Sequence, residues 1–417
     1  MHIPRDHYLK KLISREKNGL IKVVTGVRRC GKSYLLFHIF HDYLIEKGIE
    51  PSHIIEIALD DRSNLKLRNP DVMLAYVKEQ IADDKDYYII LDEVQFLEEF
   101  EDVLNSFLHI KNADVYVTGS NSKFLSSDVI TEFRGRGDEI HIYPLNFREF
   151  LSVYDGSRDE AWDEYVMYGG LPFVLYRSSP EEKEEYLLSL FQTVYLSDII
   201  ERHHIRHKEE LEELINILAS ATGSLTNSVK LSKTFKSVKN KTISSVTLKK
   251  YADYLEDAFL ISKAGRYDIK GKKYINSLVK YYFEDVGIRN AKLGFRQVEE
   301  NHLMENILYN ELRNRDYLVD VGMVETFGKS VDGKTVRKQY EIDFVASRGS
   351  RKYYLQSAFA MNNPEKLQQE QNSLLHVNDH FKKIIIVRDS IRPRRDEQGI
   401  VTMGILNFLM DENSLEA

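Results

Sequence analysis

Short apolar runs alternate with helical stretches along the first third of the chain. Apolar runs of strand length lie at Ile21–Val24, Ile54–Leu59, Tyr87–Leu91, Val115–Thr118 and Ile140–Leu145. Amphipathic stretches separate them, most clearly at Lys32–Lys47 and Pro70–Ala82. Strands that alternate with helices are typical of a three-layer α/β fold with a parallel sheet. We therefore predict a domain of that class over residues 1–148.

The pattern changes after residue 148. Strand signals nearly vanish up to Glu284, and the amphipathic stretches Glu181–Glu201 and Glu209–Ala221 predict helices. Within this middle domain, 149–286, the segment Leu260–Tyr274 predicts a hairpin that turns at Lys270-Gly271. From Gly287 onward both signals return, so we predict a second α/β domain over 287–417. Its elements are a helix at Glu300–Arg315 and strands at Tyr340–Ala346, Tyr353–Ala358 and Lys383–Val387.

Composition excludes several classes of protein. The 417 residues are 42% hydrophobic and 29% charged, which are ordinary globular values. The longest apolar runs are strand-sized, and the N-terminal MHIPRDHYLK has no apolar segment, so we expect neither a membrane span nor a secretory signal. Cys30 is the single cysteine, which excludes an intrachain disulfide and a cysteine-rich metal module. These features favour a cytoplasmic protein.

A basic segment stands out in this acidic chain. The net charge is −7, yet Leu225–Phe283 holds thirteen Lys and Arg residues against four acids, a local charge of +9. Such asymmetry favours a polyanionic partner, although a solvated lysine-rich surface would look the same.

Three helix-sized segments, Leu211–Ala221, Lys230–Phe235 and Ser244–Leu260, precede the basic hairpin, which is the layout of a winged helix-turn-helix. Thr242–Leu260 would be its recognition helix. The candidate DNA contacts are Lys249 and Lys250 on that helix and Lys270, Lys272 and Lys273 at the wing tip. Lysines favour phosphate contacts over base reading. An interdomain or signalling role for this segment stays open.

A phosphate-binding loop follows the first apolar run. Gly26, Val27, Arg28, Arg29, Cys30, Gly31, Lys32 and Ser33 satisfy G-x-x-x-x-G-K-[ST] between a strand and a helix that continues at Tyr34. The glycines let successive N–H groups point inward as an anion nest at a helix N-terminus. Lys32 would reach the β and γ phosphates of ATP, and Ser33 would bind Mg²⁺. Arg28, Arg29 and Cys30 occupy the variable positions.

Two consecutive carboxylates end the strand Tyr87–Leu91. Ligands bind beyond the carboxyl ends of parallel strands, so Asp92 would hold Mg²⁺ and Glu93 would polarise the attacking water. The next strand ends in Thr118-Gly119-Ser120-Asn121, where we expect a sensor of the γ-phosphate, Ser120 first and Asn121 second. Arg136, just before the fifth strand, is the candidate arginine finger for a neighbouring subunit.

Histidines at i and i+4 in Arg202–His207 would share one helical face. His203 and His207 supply only two ligands, and the flanking arginines oppose a dication, so we favour a solvated or subunit-facing helix over a zinc site.

The order of these motifs resembles a known family. GVRRCGKS, IILDEVQ, TGSNS, FRGRG…YPLNFREF and YGGLP look like the prokaryotic AAA-type ATP-binding proteins whose ATPase domain precedes a C-terminal domain of unknown function. The resemblance spans nearly the whole chain. It implies an AAA-like ATPase domain, a winged-helix module and a C-terminal fold similar to PD-(D/E)XK nucleases.

The nuclease motif is incomplete in this chain. Such an enzyme needs an acid on its first helix, an Asp at a strand end and E/Q-x-K on the next strand, which together hold Mg²⁺ and activate water. Glu305, Asp343 and Gln356 match, and Glu341 shares a strand face with Asp343, but Ala358 stands where the lysine belongs. Lys366 is the nearest substitute. We therefore predict a degenerate nuclease site that does not cut DNA.

Three functions compete on this sequence. The first is a Mg²⁺-dependent ATPase that remodels or moves on duplex or branched DNA as a homo-oligomer. The second is a nucleotide-operated switch that controls a protein partner. The third, an ATP-dependent nuclease, is disfavoured by Ala358.

Overall fold

The computed structural model describes residues 2–119, 135–239, 242–275, 278–329, 335–359 and 364–416. They form two compact units. The first contains Met1–Pro144 with Asp257–Phe259, and the second contains Leu145–Glu256 with Leu260–Ala417. The predicted boundary at residue 148 lies four residues from the first division of the chain, whereas no division between compact units falls near 287.

A five-stranded parallel sheet is the centre of unit 1. Its strands are β1 (Ile21–Thr25), β2 (Ile54–Ala58), β3 (Tyr87–Asp92), β4 (Ala113–Thr118) and β5 (Gly137–His141). Their order is β2-β3-β4-β1-β5, and every pairing is parallel. The prediction of an α/β domain with a parallel sheet is confirmed. The fifth strand begins and ends earlier than the apolar run Ile140–Leu145 suggested.

Helical segments cover both faces of this sheet. On one face, Val77 and Phe107 pack with strand residues such as Ile89 and Val115. On the other, the Phe40 ring lies against the rings of Tyr88 and Tyr116. The helical segments are Asp6–Ile13, Lys32–Tyr34 (continued by a π-helical turn at Leu35–Phe40 and by His41–Glu46), Pro70–Gln80 and Phe100–Phe107, with short 3₁₀ turns at Pro51–His53, Arg62–Arg68 and Val94–Phe96.

The first part of unit 2 is helical, as predicted. Its helices are Phe147–Leu151, Arg158–Tyr168, Pro180–Leu190 (continued by a π-helical turn at Phe191–Leu196 and by Ser197–Arg202), Lys208–Ser220, Ser228–Lys239 and Ser245–Asp257, with a 3₁₀ turn at Pro172–Tyr176. Two strands follow, β6 (Ile261–Ala264) and β9 (Lys280–Phe283), which pair antiparallel. Thr226, before the helix Ser228–Lys239, bridges to Val279 beside β9.

The basic hairpin lies between β6 and β9 and turns where predicted. Its strands are β7 (Arg266–Asp268) and β8 (Lys273–Tyr274). Across the predicted boundary at 287, β7 also pairs in parallel with β10 (Leu318–Lys329), with Gly322 opposite Tyr267. Ladder hydrogen bonds therefore make the predicted wing part of the C-terminal sheet.

The C-terminal sheet has eight strands. The others are β11 (Thr335–Arg348), β12 (Arg351–Ala358), β13 (Lys382–Val387), β14 (Arg394–Arg395) and β15 (Val401–Gly404). The order is β14-β15-β13-β12-β11-β10-β7-β8, a mixture of parallel and antiparallel pairs. Its helices are Glu300–Asn314, Pro364–Leu375 and Ile405–Met410. Every element predicted for this region is present, and β10 is a strand that the sequence pattern missed. Along the described ranges, no helix is long and apolar enough to cross a membrane.

A short buried helix, Val286–Lys292, connects the parts of unit 2. The buried Asp285 carboxylate accepts hydrogen bonds from the main-chain N–H groups of Ile288 (2.9 Å) and Gly170 (2.8 Å). On the helix itself, Asn290 donates to the carbonyl of Val166 (2.9 Å). Burial raises the pKa of Asp285 to about 6. The main-chain hydrogen bonds to its carboxylate lower the pKa, but by less than burial raises it.

We expect Asp285→Asn to remove a pH-dependent part of the stability. The pKa of Asp285 is about 6 in the folded protein and near 4 in the unfolded chain. Its contribution to stability is therefore complete below pH 4 and is lost as the pH rises through about 6. The free energy of unfolding of the variant, relative to wild type, should therefore improve by about 1 kcal/mol from pH 5 to pH 7.5. Urea unfolding at the two pH values measures this change. The exposed Asp155→Asn is the control, and an unchanged difference would contradict the prediction.

Candidate functional site

The loop after β1 has a backbone that few residue types tolerate. Gly26 has φ 141° and Gly31 has φ 102°. A Cβ on Gly26 would lie 2.2 Å from the carbonyl oxygen of Ile142, so only glycine fits. Between them, Arg29 also has a positive φ of 68°. The loop therefore curls tightly before the helical segment that starts at Lys32.

The Lys32 side chain is folded back into this loop. Its Nζ donates to the carbonyl oxygens of Gly26 (3.0 Å) and Val27 (3.1 Å), and the residue is buried. Cys30 is also buried, with its Sγ 3.6 Å from the Ile142 carbonyl oxygen. The remaining predicted loop residues face outward to different degrees: Arg28 and Ser33 are half-buried, and Arg29 and Tyr34 are exposed.

Asp92 ends β3 beside the loop, as predicted. It is 5% exposed, and hydrogen bonds from the hydroxyls of Thr118 and Ser33 reach its carboxylate. Burial raises the pKa of Asp92, and the two hydrogen bonds counteract this shift. The fold therefore brings the two predicted Mg²⁺ ligands together: the Ser33 hydroxyl donates to the Asp92 carboxylate at the carboxyl end of the sheet.

Glu93 follows in a left-handed conformation, with φ 51°. Its main-chain N–H donates to the Thr118 hydroxyl oxygen (3.0 Å), and the Gln95 amide donates to its carboxylate. Thr118 thus links both acids, although the sequence reasoning favoured the residues after it. Its position as the last residue of the strand next to β3 was the available signal, because parallel pairing places Val117 opposite Leu91.

The sensor prediction cannot be compared with the structure, because Ser120 and Asn121 lie outside the described residues. Arg136 is described, just before β5. It is exposed, and its Nη1 donates to the side-chain oxygen of Asn105 (3.2 Å).

All five lysines proposed for DNA contact are exposed. Lys249 and Lys250 lie on the helix Ser245–Asp257, whose buried side carries Leu248, Tyr251 and Leu255. Lys272 and Lys273 lie at the hairpin, and Lys270 donates to the carbonyl oxygen of Glu325 on β10 (3.1 Å). The Lys270 side chain is therefore bonded to the C-terminal sheet, and Lys273 belongs to its strand β8.

His203 and His207 do not share a helical face. The helix Ser197–Arg202 ends before His203, and the next begins at Lys208. His203 instead stacks on Tyr254 with ring centroids 3.5 Å apart, and burial lowers its pKa to about 4. Within the described part of the chain, no group of His, Cys, Asp and Glu is arranged to hold a metal ion.

The acids of the predicted nuclease site do meet in unit 2. Glu305 and Asp343 both lie within hydrogen-bond distance of Lys280 Nζ, at 2.9 and 3.3 Å. Burial raises the pKa of Glu305 to about 7 while the Lys280 ammonium lowers it. Gln356 accepts from the Asp343 N–H (3.0 Å). The sequence reasoning missed Lys280, which is remote from these acids along the chain.

Two residues complete the comparison with the nuclease motif. Ala358 ends β12 and is 2% exposed, so the expected lysine position holds a buried methyl group. Lys366 belongs to the helix Pro364–Leu375, but its side chain lies outside the described part of the structure.

The loop, the parallel sheet and the strand-end acids define the class of protein. Residues 18–151 match the family described as an AAA domain, and residues 159–299 match a domain of unknown function. Unit 1 is therefore an AAA-type P-loop ATPase domain. The resemblance to AAA-type ATP-binding proteins is therefore confirmed for this domain.

The whole chain belongs to the same family as a Haemophilus influenzae protein described as an uncharacterized protein. The two are 36% identical over 414 residues, 98% of each chain. A Methanocaldococcus jannaschii protein, also described as uncharacterized, is 28% identical over 83% of this chain and 76% of its own.

Two solved structures are distantly similar to the chain. The DNA-bound Orc1 protein of Aeropyrum pernix has a TM-score of 0.29 at 11% identity, covering 70% of this chain and 92% of its own. A DNA polymerase III gamma-subunit-related protein of Thermotoga maritima has a TM-score of 0.29 at 12% identity, covering 72% and 99%. Scores this low say nothing further about the function of this chain.

We expect Thr118→Val to impair turnover more than nucleotide binding. The substitution keeps the size of the side chain but removes the hydroxyl that bonds Asp92 and Glu93. Losing a hydrogen bond to a charged group costs about 1.5–3 kcal/mol, which corresponds to about tenfold to a hundredfold in kcat. Steady-state ATPase kinetics and nucleotide titration separate the two effects. Thr402→Val, a buried threonine on β15, is the matched control, and equal kinetics for both variants would contradict the prediction.

Proposed function

We propose that this protein hydrolyses ATP at the loop after β1, with Glu93 as the residue that polarises the attacking water. The observation that carries the proposal is the buried Asp92 carboxylate, held by Ser33 and Thr118 at the end of β3. It lies at the edge of a parallel sheet where ligands bind, next to a glycine loop of anion-binding shape. Lys32 would exchange its two carbonyl partners for phosphate oxygens.

The residues present fit a magnesium ion. A carboxylate whose burial raises its pKa gains from a nearby cation, and the Ser33 hydroxyl already bonds that carboxylate. Ser33 and Asp92 would hold the ion, which would neutralise phosphate charge when bound. The chain's own contribution is to orient: Thr118 fixes Asp92 and the N–H of Glu93, and Gln95 holds the Glu93 carboxylate.

Two substitutions test the assignment of roles. Lys32→Ala should abolish ATP binding, because it removes the only side-chain cation of the loop's G-K-S end. Glu93→Gln should keep ATP affinity and lower kcat by about 10²–10⁴-fold, since the amide is no base. Nucleotide titration and phosphate release measure both. Lys78→Ala and Glu79→Gln, on exposed positions of the helix Pro70–Gln80, are the matched controls, and wild-type turnover in Glu93→Gln would refute the role of Glu93.

We further propose that the enzyme acts on duplex or branched DNA as a homo-oligomer. The support is the net charge of +9 over 225–283 in an otherwise acidic chain and the five exposed lysines. Three helices, an antiparallel strand pair and the Thr226–Val279 bridge follow each other in the order of a winged helix. Arg136 would act across a subunit boundary, and Ser120 would sense the γ-phosphate.

Charge reversal separates DNA contact from a general charge effect. Lys270→Glu, Lys272→Glu and Lys273→Glu together should weaken duplex binding for all sequences alike, and lower the salt slope by about 0.9 for each lost phosphate contact. The same charge change on exposed lysines of unit 1, Lys66, Lys78 and Lys111, is the matched control. Fluorescence anisotropy over a salt series measures the slope. Equal affinity in wild type and the hairpin variant would assign the basic segment to a protein partner.

A nucleotide-operated switch is the second candidate. The observation that favours it is that Lys270 is bonded to β10 and the hairpin is paired into the C-terminal sheet, which suits transmission within unit 2. The ATPase rate with and without duplex, forked or single-stranded DNA distinguishes the two functions. A DNA-remodelling enzyme requires stimulation, and a rate independent of DNA favours the switch.

A further inference from the structure

A buried ammonium group lies among three carboxylates in unit 2. The side chain of Lys280, on β9, is 3% exposed. Its Nζ lies 2.9 Å from Glu305 Oε1, 2.9 Å from Glu341 Oε1 and 3.3 Å from Asp343 Oδ1. Glu305 comes from the helix Glu300–Asn314, and the other two acids come from β11. We call these four residues the Lys280 cluster.

The carboxylates of the cluster are also bonded by other protein donors. Tyr282, two residues after Lys280 on β9, donates its hydroxyl to Glu305 Oε1 (2.7 Å). The main-chain N–H of Ser357 donates to Asp343 Oδ2 (2.9 Å). Lys280 is therefore one member of a network in which oxygens of two acids already have partners.

Gln356 contributes nothing to a cation site in this arrangement. Its side-chain oxygen accepts from the Asp343 N–H (3.0 Å), and its amide donates to Glu370. It is a neutral residue whose polar atoms are both committed to the protein. Asp343, Gln356, Glu341 and Glu370 line an open cleft of about 590 Å³, so solvent and ions reach this side of the cluster.

These residues do not fit the divalent ion that a nuclease of the resembled class requires. Such an ion binds carboxylate oxygens at about 2.0–2.6 Å and would have to share Glu305, Glu341 and Asp343 with an ammonium about 3 Å from the same oxygens. Two cations at that separation repel each other, and the Lys280 side chain, only 3% exposed, cannot swing out into water to make room. The Lys280 ammonium already occupies the position between the three carboxylates that a divalent ion would need.

We propose that Lys280 is the resident cation of this cluster, and that its ammonium takes the position of a divalent metal and keeps metal ions out. The C-terminal sheet is then a binding or assembly scaffold whose charge balance is supplied by the strand pair beside the basic hairpin. A lysine cannot polarise a phosphodiester and generate hydroxide as a metal does. The three acids are not arranged to hold a metal ion around the ammonium. Removing the ammonium frees their oxygens to close on a divalent ion, so we expect the variant to gain a site.

Manganese binding to the full chain tests this inference. Free Mn²⁺ is counted by electron paramagnetic resonance without nucleotide, for wild type, Lys280→Met and Lys280→Met combined with Asp343→Asn. We expect Lys280→Met to gain one site at least tenfold tighter than any in wild type, and the added Asp343→Asn to remove it. Lys263→Met, on the exposed face of neighbouring β6, is the matched control and should gain nothing.

Three results would overturn the proposal. One is a wild-type Mn²⁺ site that Asp343→Asn removes. Another is a folded Lys280→Met protein without a new site. The third is DNA cleavage by wild type in Mg²⁺ or Mn²⁺ that disappears in Asp343→Asn, since that would make the cluster catalytic.

Loss of folding in Lys280→Met is also informative. Three carboxylates without a counter-ion repel each other in a buried place, so the variant could unfold in metal-free buffer. The proposal then requires that millimolar Mn²⁺ restores the circular dichroism of the folded protein and that a chelator removes it again. Failure of Mn²⁺ to refold the variant counts against the proposal.

Discussion

Parallel pairing of β1, β3 and β4 is the constraint on which the nucleotide site depends. β4 lies between the strand that leads into the glycine loop and the strand that ends in Asp92. The register sets Val24 opposite Thr118 and Leu91 opposite Val117, so three strand ends lie side by side. The Thr118 hydroxyl can then reach both acids without a loop rearrangement. The arrangement of the candidate site at this edge follows from the main-chain hydrogen bonds of the sheet.

Unit 2 buries several charged side chains in its interior. Asp285, Arg289 and Lys280 are buried, and each is bonded to polar groups brought from distant segments. Buried charges are tolerated only when they are paired or hydrogen-bonded. The helix Val286–Lys292 and strand β9 thus bind their neighbours through specific polar contacts, and their positions are fixed more narrowly than apolar packing alone would fix them.

Features marked by a short stretch of neighbouring residues could be predicted from the sequence. The glycine loop, Asp92 and Glu93 were found because each lies within a few residues of a strand end with a recognisable composition. Thr118 escaped notice since its role depends on the register between strands. The hairpin turn at Lys270-Gly271 was predicted, but its pairing partner was not, because β7 and β10 meet across more than fifty residues and leave no local trace.

The acids of the C-terminal sheet also show that contacts between distant segments leave no local signal in the sequence. Motif spacing predicts a site of Glu305, Asp343 and Gln356, and the structure does bring these three residues together. Lys280 was counted only as one charge of a basic segment, because nothing local marks it as the partner of acids on another helix and strand. Similarly, His203 and His207 were assigned to one helix, whereas the chain turns between them.

The parallel pairing of β7 with β10 has a consequence for dividing the chain into fragments. A fragment that begins at residue 287 would keep β10 but lose the strand beside it, leaving a row of main-chain N–H and C=O groups open at the sheet edge. It would also lose Lys280 and leave three acids without their ammonium. A C-terminal fragment that keeps these contacts must therefore start ahead of β6, which pairs with β9, and so must include the basic hairpin.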